Sequence, residues 1–208
     1  MYVPRFVPGV PLRRWKIEAA DLVFCGVGGQ GVLLASEVVA EVALEAGLDV
    51  KKSEVHGMAQ RGGSVFSHVR FGEVVYSPVI PLGQADFLLA FEELEALRYA
   101  PYASLEAKIL VNILKVNPIT VLSGQGEYPQ DPLGMLRGRF SHVEAVDALA
   151  LAEGAGSPRA LNSVMLGLLS RHLTFSVELW LEALSWRVPF KARDINVKAF
   201  GLGREAFS

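Results

Sequence analysis

Hydrophobic and polar positions along the chain follow two periods, which predict strands and helices in turn. Short apolar runs predict buried strands, and apolar positions three and four residues apart predict amphipathic helices. The predicted strands are 21–26, 49–54, 64–71, 86–91, 108–114 and 142–147. The predicted helices are 30–47, 92–99, 161–169, 177–184 and 194–206.

This order of elements is typical of an α/β fold. Strands that alternate with helices predict an open, mainly parallel, Rossmann-like sheet with helices on both faces. Gly72-Glu73 predicts the turn of a β-hairpin that leads into Val74–Tyr76. Residues 118–138 are rich in proline, glycine and polar side chains and predict a long connection. The pattern after residue 147 predicts a helical C-terminal part.

The first twenty residues differ from the rest. Pro4, Pro8 and Pro11 interrupt their apolar positions, which predicts an extended arm over 1–20 followed by a single domain over 21–208. The start does not have the pattern of a signal peptide, and no apolar run approaches the roughly 18 residues of a membrane span. We therefore expect a cytoplasmic protein that does not enter a membrane.

Composition excludes several classes of function. The 208 residues carry a formal net charge of -2, so no overall positive field favours nucleic acid. Cys25 is the only cysteine, in an apolar run typical of a small buried side chain. An iron–sulfur cluster needs about four thiolates, so the chain cannot hold one alone, and we expect no metal site on it.

A glycine-rich turn follows the first predicted strand and opens the first predicted helix. Its sequence, GVGGQG over residues 26–31, matches G-x-G-x-x-G in the context that the motif requires. Such a turn brings backbone N–H groups and a helix N-terminus to an anion, although the glycines also serve tight strand–helix packing. The residues expected to bind a phosphate-bearing group are Gly26, Gly28, Gly29, Gln30 and Gly31.

A dinucleotide site would also need an acid at the end of the second strand. Glu54 stands near that position, so we assign it to cofactor binding. Its alternative role is an ion pair with Arg61 or with a lysine. Lys51 and Lys52 are interpreted as solvated surface side chains.

A second glycine-rich loop, SEVHGMAQRGGSV over residues 53–65, follows the second predicted strand. In an open α/β sheet the carboxyl ends of the strands border the binding crevice. Arg61, beside Gly62 and Gly63, is suited to hold a carboxylate or phosphate with both arms of its guanidinium. We expect these three residues to bind cofactor or substrate, and His56 is the candidate catalytic acid or hydrogen-bond donor.

These motifs carry a resemblance to a known family. GVGGQG, then SEVHGMAQRGGSV and HVRFG, and later YSPVIPLGQADFLLAFEELEALRY and GSPRALNSVMLGLL, resemble the gamma-type subunit of 2-oxoacid:ferredoxin oxidoreductases. The form HGMAQRGG is similar to the indolepyruvate members, where this piece is the beta subunit. The resemblance runs from about Asp21 to Arg204 and does not include the predicted arm.

The resemblance implies a role within a larger enzyme. In the family, the complete enzyme decarboxylates a 2-oxoacid with thiamine diphosphate, passes electrons through iron–sulfur clusters to ferredoxin, and transfers the acyl group to coenzyme A. Thiamine diphosphate, magnesium and the clusters are expected on a large alpha-type partner, in a hetero-oligomer in which this chain is inactive alone.

Two other functions are left open. One is a stand-alone NAD(P)- or flavin-dependent oxidoreductase, and the other is a nucleotide- or coenzyme-A-binding regulatory module.

Overall fold

The chain builds one six-stranded sheet in a computed structural model that describes residues 19–56 and 63–207, apart from the side chain of His56. The predicted N-terminal arm lies outside these residues except for Ala19 and Ala20, and Ala20 already begins the first strand. The strands are β1 (Ala20–Val27), β2 (Asp49–His56), β3 (Ser64–Gly72), β4 (Ala85–Ala90), β5 (Ala103–Asn112) and β6 (His142–Val146).

The sheet has the order β2-β3-β1-β4-β5-β6. Strands β1, β4, β5 and β6 are parallel neighbours, whereas β3 runs antiparallel to both β1 and β2. This arrangement confirms the predicted α/β fold with a mainly parallel sheet.

The predicted β-hairpin from β3 into Val74–Tyr76 was wrong. Strand β3 pairs with β2, which precedes it, and Val74–Tyr76 form no strand. The reason is that β1 and β2 already occupy both edges of β3, so no edge is left for a following strand. The Val75 N–H instead donates to the Asp49 carboxylate over 2.9 Å.

Helices cover both faces of the sheet, as predicted. One face carries α1 and the C-terminal helices α5 to α8, and the other carries α2 and α4. The helices are α1 (Val32–Glu45), α2 (Glu93–Tyr99), α3 (Ile119–Leu122), α4 (Pro132–Arg137), α5 (Ala148–Ala155), α6 (Leu161–Ser170), α7 (Val177–Arg187) and α8 (Arg193–Glu205). Helix α5, which has the alanine-rich sequence ALALAEGA, was not predicted. Helices α3 and α4, which lie within the predicted connection, were not predicted either.

Helices α6 and α8 cross at very short range. Gly167 of α6 lies against the carbonyl of Phe200, and Gly203 of α8 lies against the carbonyl of Val164. A Cβ atom on either glycine would overlap the facing backbone. The two glycines therefore allow backbone-to-backbone packing, which encloses the core around Trp180.

Two glutamates of α1 contact an arginine of another helix. Arg187 of α7 donates to Glu41 over 2.5 Å and to Glu37 over 3.5 Å. The two helices pack together on one face of the sheet, which brings the arginine over these carboxylates.

Candidate functional site

The candidate site lies at the carboxyl ends of the parallel strands. After β1 the chain enters α1 on one face of the sheet, and after the neighbouring β4 it enters α2 on the other face. Such a divergence opens a crevice between adjacent strands, which is where open α/β sheets bind ligands. At this edge the glycine turn follows β1, and the buried residues Phe91 and Glu92 follow β4.

The glycine turn is tightly folded, and its glycines are needed there. A Cβ on Gly26 would lie 2.6 Å from the Gln30 side-chain oxygen and 2.8 Å from the Cβ of Phe91. Gly29 and Gly31 have φ angles of 103° and 81°, in the left-handed region that favours glycine. Gln30 turns its side chain back and accepts a hydrogen bond from the Val27 N–H over 2.6 Å.

Several N–H groups of the turn are already used. The Gly28 N–H donates to the Gly63 carbonyl over 2.9 Å, and the Gln30 N–H donates to the Val27 carbonyl over 3.2 Å. The group that remains for an anion is the N-terminus of α1, which no side chain of the described residues caps. This N-terminus carries the positive end of the helix dipole, which favours a negative charge.

Asn162 packs on this helix start and was not assigned to the site by the sequence analysis. It lies in the first turn of α6, is buried, and would be 3.0 Å from a Cβ on Gly31. Its side-chain oxygen is buried without a hydrogen-bond partner in the described part of the chain. A buried amide of this kind points to a polar group that completes the site.

Glu54 is separated from the glycine turn by a complete strand. It lies on β2, and β3 stands between β2 and β1, so about 10 Å of sheet separates the two backbones. Glu54 also forms an ion pair with Lys52, which is 3.8 Å from Glu37 of α1. Lys52 is thus half-buried among carboxylates and not a solvated side chain. Glu54 is therefore not on a strand next to the turn, which is where a dinucleotide site needs its acid.

The second glycine-rich loop is anchored at both of its described ends. His56 ends β2 and pairs with Val65 of β3, while the Gly63 carbonyl is bound by Gly28. Arg61, Gly62 and the side chain of His56 lie outside the described structure, so their assignments stay predictions.

Buried carboxylates at the start of α2 lie at the same edge of the sheet, and they were not predicted as site residues. Glu92 caps α2 by accepting from the Glu95 N–H over 2.8 Å. It also accepts from the Val116 N–H over 3.1 Å and from the Tyr128 hydroxyl over 2.6 Å. This contact and the burial of the phenol raise the pKa of Tyr128. The signal in the sequence was FEELE, in which three glutamates directly follow an apolar strand.

Glu95 extends this group toward the second loop. It accepts a hydrogen bond from the Ser64 hydroxyl, and that hydroxyl lies 3.0 Å from the Tyr99 hydroxyl. Arg98 lies 3.5 Å from the same carboxylate. Burial raises the pKa of Glu95.

Cys25 is buried, as predicted, and its thiol lies 3.5 Å from the Glu95 carbonyl. Burial holds the pKa of this thiol well above its usual range. Within residues 19–56 and 63–207, no group of three or more His, Cys, Asp or Glu side chains is arranged to hold a metal ion. No helix of the same residues is long and apolar enough to cross a membrane.

Comparison with known proteins identifies the family. The model of the family described as pyruvate ferredoxin/flavodoxin oxidoreductase matches residues 21–206. The chain belongs to this family. The match covers nearly all of the predicted domain.

Curated relatives in the pyruvate ferredoxin/flavodoxin oxidoreductase family match over most of their length. The chain is 42% identical to the indolepyruvate oxidoreductase subunit IorB of Archaeoglobus fulgidus, over 88% of this chain and 92% of that protein. It is 40% identical to the subunit of the same name from Pyrococcus horikoshii, over 89% of this chain and 95% of that protein.

Solved structures of this family have the same fold. The gamma subunit of a keto/oxoacid ferredoxin oxidoreductase from Geobacter sulfurreducens superposes with a TM-score of 0.66 at 27% identity, over 89% of this chain and 96% of that chain. The 2-oxoglutarate:ferredoxin oxidoreductase of Magnetococcus marinus shows a TM-score of 0.68 at 20% identity, over 92% of this chain but 32% of that chain. The protein is therefore the small subunit of a 2-oxoacid:ferredoxin oxidoreductase, as the motifs had indicated.

Proposed function

We propose that this chain, with a large catalytic subunit, forms a thiamine-diphosphate-dependent indolepyruvate or aryl pyruvate:ferredoxin oxidoreductase that yields the acyl-CoA. The observation that carries the proposal is the name shared by relatives that are 40% and 42% identical over almost their whole length, indolepyruvate oxidoreductase subunit. The HGMAQRGG segment supports the same assignment.

The large subunit supplies the redox chemistry in this proposal. One cysteine in 208 residues cannot provide the thiolates of an iron–sulfur cluster. Thiamine diphosphate, magnesium and the clusters therefore belong to the alpha-type partner, and ferredoxin accepts electrons through the complex. We place the hetero-oligomer in the cytoplasm.

Coenzyme A is the co-substrate that fits the glycine edge of the sheet. The Magnetococcus marinus enzyme was solved with 2-oxoglutarate, coenzyme A and succinyl-CoA bound. In the present chain the N-terminus of α1, which no described side chain caps, suits a phosphate group of coenzyme A, and the unpartnered side-chain oxygen of Asn162 would accept from an N–H or O–H group of the same molecule. Arg61 of the second loop would add a bidentate contact to a phosphate or carboxylate.

The residues of this chain then act by binding and orientation. Thiamine diphosphate, when bound to the partner, supplies the carbanion chemistry of decarboxylation. The N-terminus of α1 offers backbone N–H groups that need no rearrangement when an anion arrives, since Gln30 and Gly63 already fix the shape of the turn before it. The crevice between β1 and β4 thereby orients the co-substrate for acyl transfer.

The test is an activity assay on the separate and the combined subunits. The purified chain should not reduce a viologen acceptor with indolepyruvate and coenzyme A, because it has no electron path. Addition of the large subunit should give turnover. Robust turnover by the isolated chain would overturn the proposal.

A panel of 2-oxoacids tests the substrate class. The complex should show higher kcat/KM for indolepyruvate and other aryl pyruvates than for pyruvate or 2-oxoglutarate. Preference for pyruvate or 2-oxoglutarate would retain the family role and refute the aryl substrate.

A further inference from the structure

Three side chains form a directional hydrogen-bond chain beneath the second loop. Tyr99 and Ser64 have their hydroxyl oxygens 3.0 Å apart, and the Ser64 hydroxyl donates to the Glu95 carboxylate. Because the Ser64 hydroxyl donates its proton in the hydrogen bond to the Glu95 carboxylate, its oxygen accepts from the Tyr99 hydroxyl. The order of donation is therefore Tyr99 to Ser64 to Glu95.

This chain reaches the glycine turn through one residue. Ser64 begins β3, and its neighbour Gly63 accepts from the Gly28 N–H over 2.9 Å. Val65, on the other side of Ser64, pairs with Gly26 of β1 and His56 of β2. Fixing Ser64 thus fixes the point at which the second loop returns to the sheet.

Burial of the Glu95 carboxylate, which holds the start of β3 at Ser64, costs folding free energy. Glu95 is only 4% exposed, and burial is the largest influence on its pKa, which is raised. The groups that face it are Ser64, Tyr99, Arg98, Glu92 and Cys25. A group whose pKa is raised on folding stabilises the native state when protonated, and this contribution is lost as the pH rises through the native pKa. At neutral pH, a glutamine would therefore remove this cost in folding free energy, although its neutral oxygen accepts a weaker hydrogen bond from Ser64 than the carboxylate does.

We infer that the Tyr99–Ser64–Glu95 chain is a positioning device that fixes the Gly63–Gly28 junction, and with it the second loop against the glycine turn. None of the three residues is a catalytic residue, since they act through Gly63. A strongly accepting carboxylate is retained because the junction has to be rigid when the loop meets the co-substrate. This inference rests on the proposed function only for its kinetic consequence.

Hydrogen exchange on the full-length isolated chain tests the inference without activity. In Ser64→Ala, exchange of the Gly28 amide should be at least about tenfold faster, because the junction loses its anchor. Ser64→Thr keeps the hydroxyl and should leave the Gly28 rate unchanged. Ser123→Ala, which removes an exposed hydroxyl bonded only to the Thr120 carbonyl, is the control. Wild-type protection of Gly28 in a folded Ser64→Ala protein would overturn the inference, whether or not the enzyme is active.

Glu95→Gln separates positioning from stability. We expect a melting temperature at neutral pH equal to or above that of the wild type, together with faster exchange at Gly28.

In the assembled complex of the Glu95→Gln variant, kcat/KM for coenzyme A should fall by about tenfold or more, because misplaced groups lose orientation. The KM for the 2-oxoacid should not change. If Glu95→Gln shows wild-type exchange and kinetics at every pH, the carboxylate has no positioning role. A complex that turns over no 2-oxoacid at all would refute the proposed function, but it would leave the exchange result standing.

Discussion

The backbone N–H of Gly28 donates to the carbonyl of Gly63 over 2.9 Å. This bond joins two glycine-rich loops that are more than thirty positions apart in the sequence. The antiparallel strand β3 makes the contact possible, because it returns the second loop to the same edge of the sheet as the end of β1. The described ends of the second motif therefore meet the first motif at one edge of the sheet.

Arg61 is expected to contribute a charge-assisted contact to substrate, co-substrate or partner. Arg61→Ala and Arg61→Lys should both leave the melting temperature nearly unchanged. Both should weaken the contact, because lysine cannot reproduce the planar fork of the guanidinium. Turnover of the complex should fall at least roughly tenfold, the loss expected from about 1.4 kcal/mol. Kinetics against 2-oxoacid and coenzyme A, with exposed Arg159→Ala as the control, measure this effect. Wild-type kinetics in an assembled complex would make Arg61 structural, and loss of assembly alone would make it an interface residue.

NADH should bind poorly to the isolated chain. Glu54 is ion-paired on β2, with β3 between it and the glycine turn. Glu92, at the end of the adjacent β4, already accepts from the Glu95 N–H, the Val116 N–H and the Tyr128 hydroxyl, so it is not available to a ribose. Isothermal titration calorimetry should give a dissociation constant weaker than low micromolar. Tight binding would restore the stand-alone dinucleotide enzyme as the better interpretation.

Gly203 and Gly201 of α8 should respond to alanine in opposite directions. Gly203→Ala places a methyl group into the Val164 carbonyl and should lower the free energy of unfolding by roughly 2–3 kcal/mol. A Cβ on Gly201 meets no atom within 4 Å, so Gly201→Ala should raise stability by about 0.5–1 kcal/mol. Urea denaturation of both variants checks the pair, and equal effects would show that the α6–α8 crossing is looser than described.

His68 should make the fold sensitive to acid. Its ring nitrogen accepts from the Ile80 N–H over 3.1 Å, and burial lowers the pKa of His68. A lowered native pKa means that stability is complete above the usual value of about 6.5 and is lost as the pH falls below it. The loss from one histidine is at most about 1.4 kcal/mol per pH unit. His68→Phe keeps a ring beside Phe66 and Tyr102 but cannot titrate, so its unfolding free energy should depend less on pH between about 7.5 and 5.5. An identical pH slope in both proteins would contradict this assignment.

Much of the fold could be predicted from local patterns. Apolar runs and alternation located most strands of the described sheet, whereas β2, predicted at 49–54, has no apolar run. The i, i+3, i+4 spacing located α6, because a buried helix needs a continuous apolar face. The partner of β3 could not be obtained in this way. Its pairing with β2 depends on which sheet edges are free, and that is a property of the assembled sheet.

The site was predicted only in part for a similar reason. Clustered glycines predict a turn, because few other residues adopt the positive φ angles that such a turn needs. The glycine turn could therefore be predicted from the sequence. Glu95 and Asn162 gave no comparable signal, since a glutamate on a short helix and an asparagine on a buried one are common. Their importance appears only when Ser64 and Gly31 are brought against them.

The buried Cys25 makes the protein convenient for spectroscopy. It is the only cysteine, no solvent reaches it, and its raised pKa keeps it as the unreactive thiol. A cysteine introduced at an exposed position would therefore be the only site that takes up a maleimide dye or a spin label. Exposed Ser123, far along the chain from the glycine turn, is one such position. Energy transfer or electron-electron distance measurements to a labelled large subunit could then locate this subunit in the complex without removal of any native residue that contributes to the site.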